Sequence, residues 1–197
     1  MQQPFPVTIL VTGANGQLGN ELRELALIMP QYRFLFAGRD TFPIENKKVV
    51  EEYFETTKIH FCINCAAYTA VDKAESEVDL AFLINGTAVG DLALICEKYK
   101  TKFIHISTDY VYDGSLKEPL KEDGAVSPLN VYGWSKLKGE ELALSNNPDS
   151  LIIRTSWVYS SYGHNFLKTM MRLMNEKDKL DIVSDQIGSP TYAADLA

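Results

Sequence analysis

The sequence predicts an α/β fold with a doubly wound parallel sheet. Short apolar runs alternate with longer segments whose apolar residues recur at helical spacing, and this alternation requires parallel strands joined by right-handed crossovers. A glycine-rich turn joins the first of these runs directly to the first helical segment. At 197 residues, 46% of them hydrophobic, the chain is long enough to bury the core of one domain.

The first strand and helix lie at the N-terminus. Residues 7–11 form a short β-branched run that ends at Thr12 and Gly13, which predicts a buried strand. Apolar residues then recur at helical spacing over 17–29, and Pro30 closes this helix.

The next elements repeat this alternation. Residues 33–37 predict a second strand, which stops at Gly38. Asn46 is a predicted N-cap for a helix that runs to about residue 57 with its apolar residues on one face. The remaining predicted elements are strands over 59–66, 103–107 and 151–155 and helices over 78–99, 132–145 and 164–175.

The last residues of the sequence suggest a helix that has only just begun. Ser189-Pro190-Thr191 is typical of a helix start, and the sequence stops soon afterwards at Ala197. We therefore expect a C-terminally truncated chain.

Charge and hydropathy limit the expected partners. The formal net charge is -7, and an acidic surface repels phosphate backbones, so we expect no nucleic-acid partner. No apolar run approaches the length needed to span a bilayer, and residues 1–10 lack the features of a signal peptide. We therefore expect a cytoplasmic protein with no membrane partner.

Cys62 and Cys65 form a C-x-x-C sequence, for which a redox or metal role is an alternative. On the predicted third strand, positions three apart point to opposite faces, so the thiols should diverge. No second cysteine or histidine pair lies nearby to complete a zinc site. We expect buried structural thiols and no metal. His105, which has apolar neighbours on the fourth strand, is expected to be a satisfied core histidine.

The glycine-rich turn, TGANGQLG at residues 12–19, predicts a dinucleotide-binding site. Its three glycines allow a tight turn, close approach of the backbone to a pyrophosphate, and tight helix–strand packing. The following helix would direct its free N–H groups and positive dipole end at that phosphate. The alternative is a glycine-rich turn without a ligand. The predicted cofactor-binding residues of the turn are Gly13, Asn15, Gly16, Gln17, Leu18 and Gly19.

The end of the second strand should decide between NAD and NADP. An acidic residue there accepts from the free 2′-hydroxyl of NAD, whereas an arginine suits the 2′-phosphate of NADP. The chain carries Arg39 followed by Asp40. We favour NADPH, bound by Arg39, with NADH as the alternative if Asp40 lies at this position. Arg39 as a solvated charge without a ligand is a third interpretation.

Tyr132 and Lys136 are four residues apart on a predicted helix, so the ammonium should lie beside the phenol. Because a neighbouring cation favours the phenolate, we expect Lys136 to lower the pKa of Tyr132 from its ordinary value of about 10. Thr108 follows the fourth strand, and ligands of open α/β sheets sit at the carboxyl ends of strands. The three residues predict a site in which Tyr132 gives a proton to a carbonyl oxygen held by Thr108.

These motifs resemble those of the extended short-chain dehydrogenase/reductase family, and longer stretches are similar to its dTDP-4-dehydrorhamnose reductases. The resemblance covers nearly the whole chain. It implies a Rossmann-like NAD(P)-binding domain with the beginning of a substrate-binding region at about 157–197, the rest of that region being absent. The stretches that carry it are NCAAYTAVDKAE (64–75), STDYVYDG (107–114), SPLNVYG (127–133), RTSWVY (154–159) and DQIGSPT (185–191).

The resemblance also implies an activity, the reduction of the 4-keto group of dTDP-4-dehydro-β-L-rhamnose by NAD(P)H to give dTDP-L-rhamnose. Tyr132 would be the proton donor and Lys136 would hold the nicotinamide ribose. Further residues implied for the cofactor are Ala66, Ala67, Tyr68 and Asn85, and those implied for the dTDP-sugar are Thr108, Asp109, Trp157, Asn165 and Gln186.

Two features depart from the family pattern. Phe42-Pro43-Ile44 stands where many relatives carry an acidic residue against the adenine, so the adenine contacts must differ. Family members also continue well past residue 197, so we expect this chain to bind cofactor but to turn over substrate poorly or not at all.

Two other functions stay open. The first is a related epimerase or dehydratase, although a dehydratase would want a carboxylate where Tyr110 stands. The second is a non-catalytic regulatory subunit of the same fold, which the intact Thr108, Tyr132 and Lys136 set argues against. Relatives often pair through the helices predicted at 78–99 and 132–145, so a homodimer is one assembly that the resemblance allows.

Overall fold

The computed structural model describes residues 6–115 and 118–197, so residues 1–5 of the N-terminal stretch considered above lie outside the described part. The centre of the fold is a five-stranded parallel sheet in the order β2-β1-β3-β4-β5. Because the strand order reverses between β1 and β3, the fold is doubly wound and Rossmann-like, which confirms the predicted class. The strands are β1 Val7–Thr12, β2 Tyr32–Ala37, β3 Phe61–Asn64, β4 Lys102–Thr108 and β5 Leu151–Thr155.

Helices cover both faces of the sheet. The α1 helix ends at Leu27, two residues earlier than predicted, because the backbone at Ile28 has already left helical geometry before Pro30. The Asn46 side chain caps α2 as predicted, accepting from the N–H of Val49 at 3.3 Å. The helices are α1 Gln17–Leu27, α2 Lys47–Thr56, α3 Val71–Ala74, α4 Val78–Phe82, α5 Ala88–Lys98, α6 Val131–Asn146, α7 Phe166–Glu176 and α8 Ala193–Leu196.

The long helix predicted at 78–99 contains an interruption. A π-helical turn at Leu83–Thr87 joins α4 to α5. The turn contains Asn85, whose fully buried side chain accepts from the N–H of Tyr68 at 2.8 Å and donates to its carbonyl oxygen at 3.0 Å. The wide turn thus places a polar side chain in the core, where the backbone after β3 satisfies its hydrogen bonds.

The core consists of two layers, one on each face of the sheet. Leu10 and Val11 are adjacent and completely buried, yet they belong to different hydrophobic clusters, since successive strand residues point to opposite faces. The larger cluster lies under α2, α5 and α6, and the smaller one lies under α1 and α8. Cys62 and Cys65 fall on opposite faces in the same way, as predicted.

The helical segment Val78–Lys98, which comprises α4, the π-helical turn and α5, is long and apolar enough to cross a membrane by length and composition. The expectation that no apolar run approaches this length was therefore wrong. Of its most apolar window, 56% is buried inside the protein, where α5 packs against α6 and α2. A core helix of a globular domain has these properties without contacting lipid.

A second, two-stranded parallel sheet lies near the C-terminus and was not predicted. It pairs β6 Val158–Tyr159 with β7 Thr191–Tyr192, and the rings of Tyr159 and Tyr192 stack with centroids 5.3 Å apart. The helix expected to start at 189–191 begins instead at Ala193, because Thr191 and Tyr192 are used by this strand pair.

Candidate active site

A cavity of about 1610 Å³ opens at the carboxyl ends of β1, β3, β4 and β5. This is the edge where a doubly wound sheet places ligands, on either side of the point at which the strand order reverses. The predicted site residues that line it are Gly13, Asn15, Gly16, Gln17, Leu18, Arg39, Ala66, Ala67, Thr108, Asp109, Tyr132, Lys136, Trp157 and Gln186.

The glycine-rich turn has the backbone geometry that a phosphate site requires. Gly13 has φ +61°, and a Cβ at this position would lie 2.6 Å from the backbone nitrogen of Ala66. Gly16 is the N-cap of α1, and no side chain caps the helix there. The first N–H groups of α1 therefore remain available to an anion in the cavity.

Gly19 does not line the cavity. A Cβ on Gly19 would stand 2.6 Å from Cα of Ala14, so this glycine allows α1 to pack tightly against the turn. That is the third of the glycine functions predicted for the turn. Gln17 does face the cavity, and its side-chain nitrogen donates to the carbonyl oxygen of Val158 at 3.3 Å.

Arg39 and Asp40 both lie at the mouth of the cavity, after β2. Arg39 is exposed and its guanidinium lies 3.5 Å from Glu45. Phe42 and Ile44 are buried and also line the cavity, so the segment that departs from the family pattern forms an apolar wall. Arg39 could therefore bind the 2′-phosphate of NADP and Asp40 could bind the 2′-hydroxyl of NAD, so both cofactor alternatives stay open.

Tyr68 and Asn85 do not line the cavity, although the resemblance implies that they contact the cofactor. The backbone of Tyr68 is occupied by the Asn85 side chain, and the Tyr68 hydroxyl donates to Glu77 at 2.8 Å. Asn85 also donates to the Ser135 hydroxyl at 3.0 Å. Their observed contacts shape the backbone that follows β3 and tie it to α6.

Thr108, Tyr132 and Lys136 meet in the cavity, as predicted. Thr108 ends β4, where its hydroxyl donates to Asp109 Oδ1 at 3.1 Å and accepts from the N–H of Tyr110 at 3.2 Å. Tyr132 and Lys136 lie one turn apart on α6. The start of α6 is held by its N-cap Asn130, which accepts from the N–H of Gly133 at 2.8 Å.

The pKa of Tyr132 differs from the expectation. Burial raises it to about 12, and the hydrogen bond with Thr108 acts in the opposite direction. Lys136 does not lower it, because Nζ donates instead to the carbonyl oxygen of Ile106 at 2.6 Å and lies 3.1 Å from Nε2 of His105. Burial also lowers the pKa of Lys136 to about 8.

The side of the cavity predicted for the substrate contains a strained aromatic residue. Trp157 follows β5 with φ +48°, which is uncommon for a bulky residue. Its ring packs edge-to-face on Phe166 with centroids 5.4 Å apart, and its indole leaves no room for a Cβ on Gly188. Burial raises the pKa of Asp109, which lies on the same side of the cavity.

Asn165 does not line the cavity. Its side chain caps α7 by accepting from the N–H of Lys168 at 2.9 Å, and it donates to Gln17 Oε1 at 2.9 Å and to the carbonyl oxygen of Ser160 at 2.8 Å. These contacts connect α7 to the glycine-rich turn through Gln17.

Some lining residues were not predicted. Thr155 ends β5 and Ser156 follows it, and the rule that ligands sit at the carboxyl ends of strands is the signal that would have found them. The side of α7 that faces the cavity is apolar. Its apolar residues are one, three and four positions apart, and this helical spacing would have indicated an apolar helix face. The α7 residues on this side are Phe166, Leu167, Met170 and Met174.

The cysteines have the properties of buried structural thiols. Burial raises the pKa of Cys65 to about 12 and raises that of Cys62 as well, and only thiolates act as metal ligands or nucleophiles. Within residues 6–115 and 118–197, no cluster of three or more His, Cys, Asp or Glu side chains is arranged to hold a metal ion. The C-x-x-C sequence is therefore explained by β3, which contains Cys62 and is followed directly by Cys65.

Comparison with known proteins extends these observations. A family profile described as RmlD substrate binding domain matches residues 7–197. A dTDP-4-dehydrorhamnose reductase from Aggregatibacter actinomycetemcomitans is 44% identical over 96% of this chain and 64% of its own length. The spore coat polysaccharide biosynthesis protein SpsK from Bacillus subtilis is also 44% identical, over 96% of this chain and 66% of its own length. The chain thus spans just under two thirds of these curated relatives.

A solved structure shows the same fold. The dTDP-4-dehydrorhamnose reductase from Bacillus anthracis, crystallised in complex with NADP, superposes with a TM-score of 0.94 at 41% identity. The match covers 98% of this chain and 68% of that protein.

Proposed function

This chain belongs to the RmlD substrate binding domain family, and from that premise we propose that it binds NADPH and reduces the 4-keto group of dTDP-4-dehydro-β-L-rhamnose to give dTDP-L-rhamnose. One observation carries the proposal: Thr108, Tyr132 and Lys136 share a cavity with the glycine-rich turn. Relatives that are 43–44% identical and are named dTDP-4-dehydrorhamnose reductases support the choice of substrate.

The residues at the cavity fit a dinucleotide. Gly13 and Gly16 leave the backbone open at an uncapped helix N-terminus, where a pyrophosphate is stabilised. Within the described part of the chain, Thr155 Oγ1 is buried without a hydrogen-bond partner and belongs to a residue that lines the cavity. Bound NADPH would supply the hydride, and the protein would supply orientation and the proton.

The proposed role of Tyr132 is to donate its phenolic proton to the carbonyl oxygen as that oxygen acquires negative charge. Its raised pKa keeps the phenol protonated at neutral pH, so the proton is present before the reaction starts. Thr108 would hold the same oxygen through its hydroxyl, which lies at the end of β4. Asp109 and Trp157 would contact the sugar.

We propose NADPH rather than NADH because Arg39 lies at the cavity mouth with its side chain largely exposed. Its one observed partner, Glu45 at 3.5 Å, is a weak surface contact that a 2′-phosphate can replace. Arg39→Ala should then weaken binding of NADPH and leave binding of NADH unchanged, and Asp40→Ala serves as the matched control. Selective loss of NADH binding in Asp40→Ala would reverse the assignment.

Location and assembly stay predictions. We propose a cytoplasmic enzyme, since the proposed cofactor and sugar nucleotide are cytoplasmic metabolites. A homodimer through α5 and α6 is expected to bury Leu94 and Leu144, both exposed in the single chain. Sedimentation of wild type and of a Leu94→Glu, Leu144→Glu variant tests this, because only a dimer formed through these helices would dissociate in the variant.

The test of the function is oxidation of NADPH by this chain when it is given dTDP-4-dehydro-L-rhamnose. Slow oxidation by wild type that is lost in Tyr132→Phe, with NADPH binding retained, is the expected result. Tyr162→Phe is the matched control, since the Tyr162 hydroxyl contacts Glu24 at the surface. NADPH binding without oxidation would point to a regulatory or cofactor-binding module, and activity retained in Tyr132→Phe would overturn the proposed proton donor.

A further inference from the structure

The α7 helix lines the cavity without being part of the core. None of the 11 residues of Phe166–Glu176 is buried, although the apolar side of this helix faces the cavity. A helix of this length is only marginally stable by itself in water. The contacts that α7 makes with the rest of the domain therefore decide whether it forms and where it lies.

Two side-chain amides join the start of α7 to α1. Asn165, the N-cap of α7, donates from Nδ2 to Gln17 Oε1 at 2.9 Å and to the carbonyl oxygen of Ser160 at 2.8 Å. Gln17, the first residue of α1, donates from Nε2 to the carbonyl oxygen of Val158 in β6 at 3.3 Å. Gln17 is thus bonded to the chain both before and after the loop that connects β6 to α7.

Backbone groups determine which way the two amides point. The carbonyl oxygen of Val158 can only accept, so the nitrogen of Gln17 faces Val158 and the oxygen faces Asn165. The N–H of Lys168 can only donate, so the oxygen of Asn165 faces α7 and the nitrogen faces Gln17. Turning either amide over would place two donors or two acceptors against each other. The contact is therefore specific in its geometry.

The loop between β6 and α7 also lies close against α1. Gly163 has φ +61°, and a Cβ at this position would stand 3.1 Å from Cγ of Gln17. One turn further along α1, the buried Glu21 accepts from the hydroxyl of Ser160 at 2.6 Å. Gln17 and Glu21 lie on the same face of α1, so this face is the surface against which the loop packs.

We propose that Gln17 is a positioning residue, whose side-chain amide aligns α7 on the helix that receives the cofactor phosphates. The backbone of Gln17 lies at the N-terminus proposed to bind the pyrophosphate, whereas its side chain binds Asn165. Phe166 follows Asn165 directly and packs against the ring of Trp157, which is proposed to contact the sugar. A displacement of α7 would therefore reach the sugar side of the cavity.

The consequence for substrate affinity rests on the proposed function, because it concerns the dTDP-sugar. The attachment of α7 to α1 is a property of the chain without ligands, and its measurement uses neither cofactor nor sugar. Failure of one proposal is thus distinguishable from failure of the other.

The first test is amide hydrogen exchange of α7 in the ligand-free chain. Gln17→Met removes the amide at similar side-chain length, and Asn165→Ser keeps an N-cap oxygen but is too short to reach Gln17. Each substitution should accelerate exchange of the α7 amides about fivefold, the factor expected for the net loss of one hydrogen bond. Thr169→Ala is the control and should change exchange little, since this hydroxyl donates to the carbonyl oxygen of Asn165 and not to α1.

The double variant Gln17→Met, Asn165→Ser distinguishes a shared contact from two separate effects. Exchange of α7 in the double variant should be little faster than in either single variant, because both substitutions remove the same contact. Effects that multiply in the double variant would overturn the proposal. Exchange that is unchanged in Gln17→Met would overturn it as well.

The second test compares two ligands by calorimetry. Gln17→Met should bind NADP⁺ almost as wild type does, because the phosphates are bound by backbone N–H groups. Binding of dTDP-L-rhamnose, the proposed product, to the NADP⁺ complex should weaken about tenfold, a typical size for coupling between two sites. Asn165→Ser should reproduce this selective loss, and Thr169→Ala should not.

Equal weakening of both ligands in Gln17→Met would make Gln17 a cofactor residue only and would overturn the positioning role. If the wild-type chain does not bind dTDP-L-rhamnose, the proposed function fails. Hydrogen exchange of α7 in the single and double variants then decides the positioning role by itself.

Discussion

The guanidinium of Arg154 donates to the carboxylate of Glu140 from both Nε and Nη2, at 3.1 and 2.6 Å, beside the carboxyl ends of β4 and β5. Glu140 is buried and also accepts from the hydroxyl of Ser107. The third guanidinium nitrogen donates to the hydroxyl of Tyr112 at 2.6 Å. This pair joins α6, which carries Tyr132 and Lys136, to the strand ends that form the floor of the cavity.

Arg154→Leu should lower the free energy of unfolding by about 3 kcal/mol, because it leaves the Glu140 carboxylate buried and unpaired. Urea denaturation measures this. Arg172→Leu is the control, since Arg172 and Glu176 form an exposed pair on α7 and its loss should change stability by less than about 0.5 kcal/mol. Equal losses of unfolding free energy in the two variants would show that the buried pair contributes no more to stability than the exposed pair.

Gly13→Ala should destabilise the chain more than Gly114→Ala. Both glycines have positive φ, so each substitution carries a conformational cost of about 1–2 kcal/mol. Gly13 adds a clash, at 2.6 Å from the backbone of Ala66, whereas among residues 6–115 and 118–197 no atom lies within 4 Å of a Cβ on Gly114. Thermal unfolding should show the difference, and fluorescence titration should show weakened NADPH binding in Gly13→Ala alone. Similar melting temperatures for the two variants would contradict the clash.

Gly139→Ala should be destabilising although alanine favours helices by about 1 kcal/mol over glycine. A Cβ on Gly139 would stand 2.1 Å from the carbonyl oxygen of Asn85, so α6 and the π-helical turn would have to separate. Gly86→Ala is the control, because the tightest contact of its Cβ would be the flexible Lys138 side chain at 3.3 Å, and the Ser135 carbonyl oxygen at 3.7 Å is an ordinary contact. We expect a clear fall in melting temperature for Gly139→Ala and a small change for Gly86→Ala.

Lys136→Met should stabilise the chain at neutral pH while abolishing the proposed activity. Burial holds the folded pKa of Lys136 at about 8, below the ordinary value of 10.5. A depressed lysine pKa means that the unfolded chain binds the proton more tightly, so Lys136 costs stability below about pH 8. That cost diminishes as the pH rises from 8 towards 10.5.

The measurement for Lys136→Met is the difference in unfolding free energy between variant and wild type at several pH values. The shift corresponds to about 3 kcal/mol at neutral pH, before the lost hydrogen bond to Ile106 is subtracted. Using the difference removes the contributions of the buried cysteines, which both proteins share. An advantage of Lys136→Met that stays constant between pH 7 and pH 10 would contradict a depressed folded pKa.

The fold was largely predictable because its signals are local. The β-branched run before Gly13, the cap at Asn46 and the fifth strand all lie where the sequence predicts them. The π-helical turn at Leu83–Thr87 was not predictable in this way, since a continuous helical spacing conceals one widened turn. The β6–β7 pair was missed because each strand has only two residues and depends on a partner more than thirty residues away.

The candidate site was predictable in outline for a different reason. Thr108, Tyr132 and Gly13 reach one cavity because the carboxyl ends of parallel strands meet at the same edge. Asn165 was misplaced at the cavity, because an asparagine can cap a helix as readily as it can face a ligand and the sequence does not distinguish the two.

The sequence by itself determined three features: the doubly wound class, the glycine-rich turn and the pairing of Tyr132 with Lys136 on one helix. Each depends on residues that are neighbours along the chain or on one helix. Tertiary structure alone decided how these groups behave. It partly buried Tyr132 and raised its pKa, and it brought Asn64 and His105 into register beneath Lys136. Desolvation is a property of a three-dimensional surrounding, so the lowered pKa of Lys136 follows from a burial that its own helix does not determine.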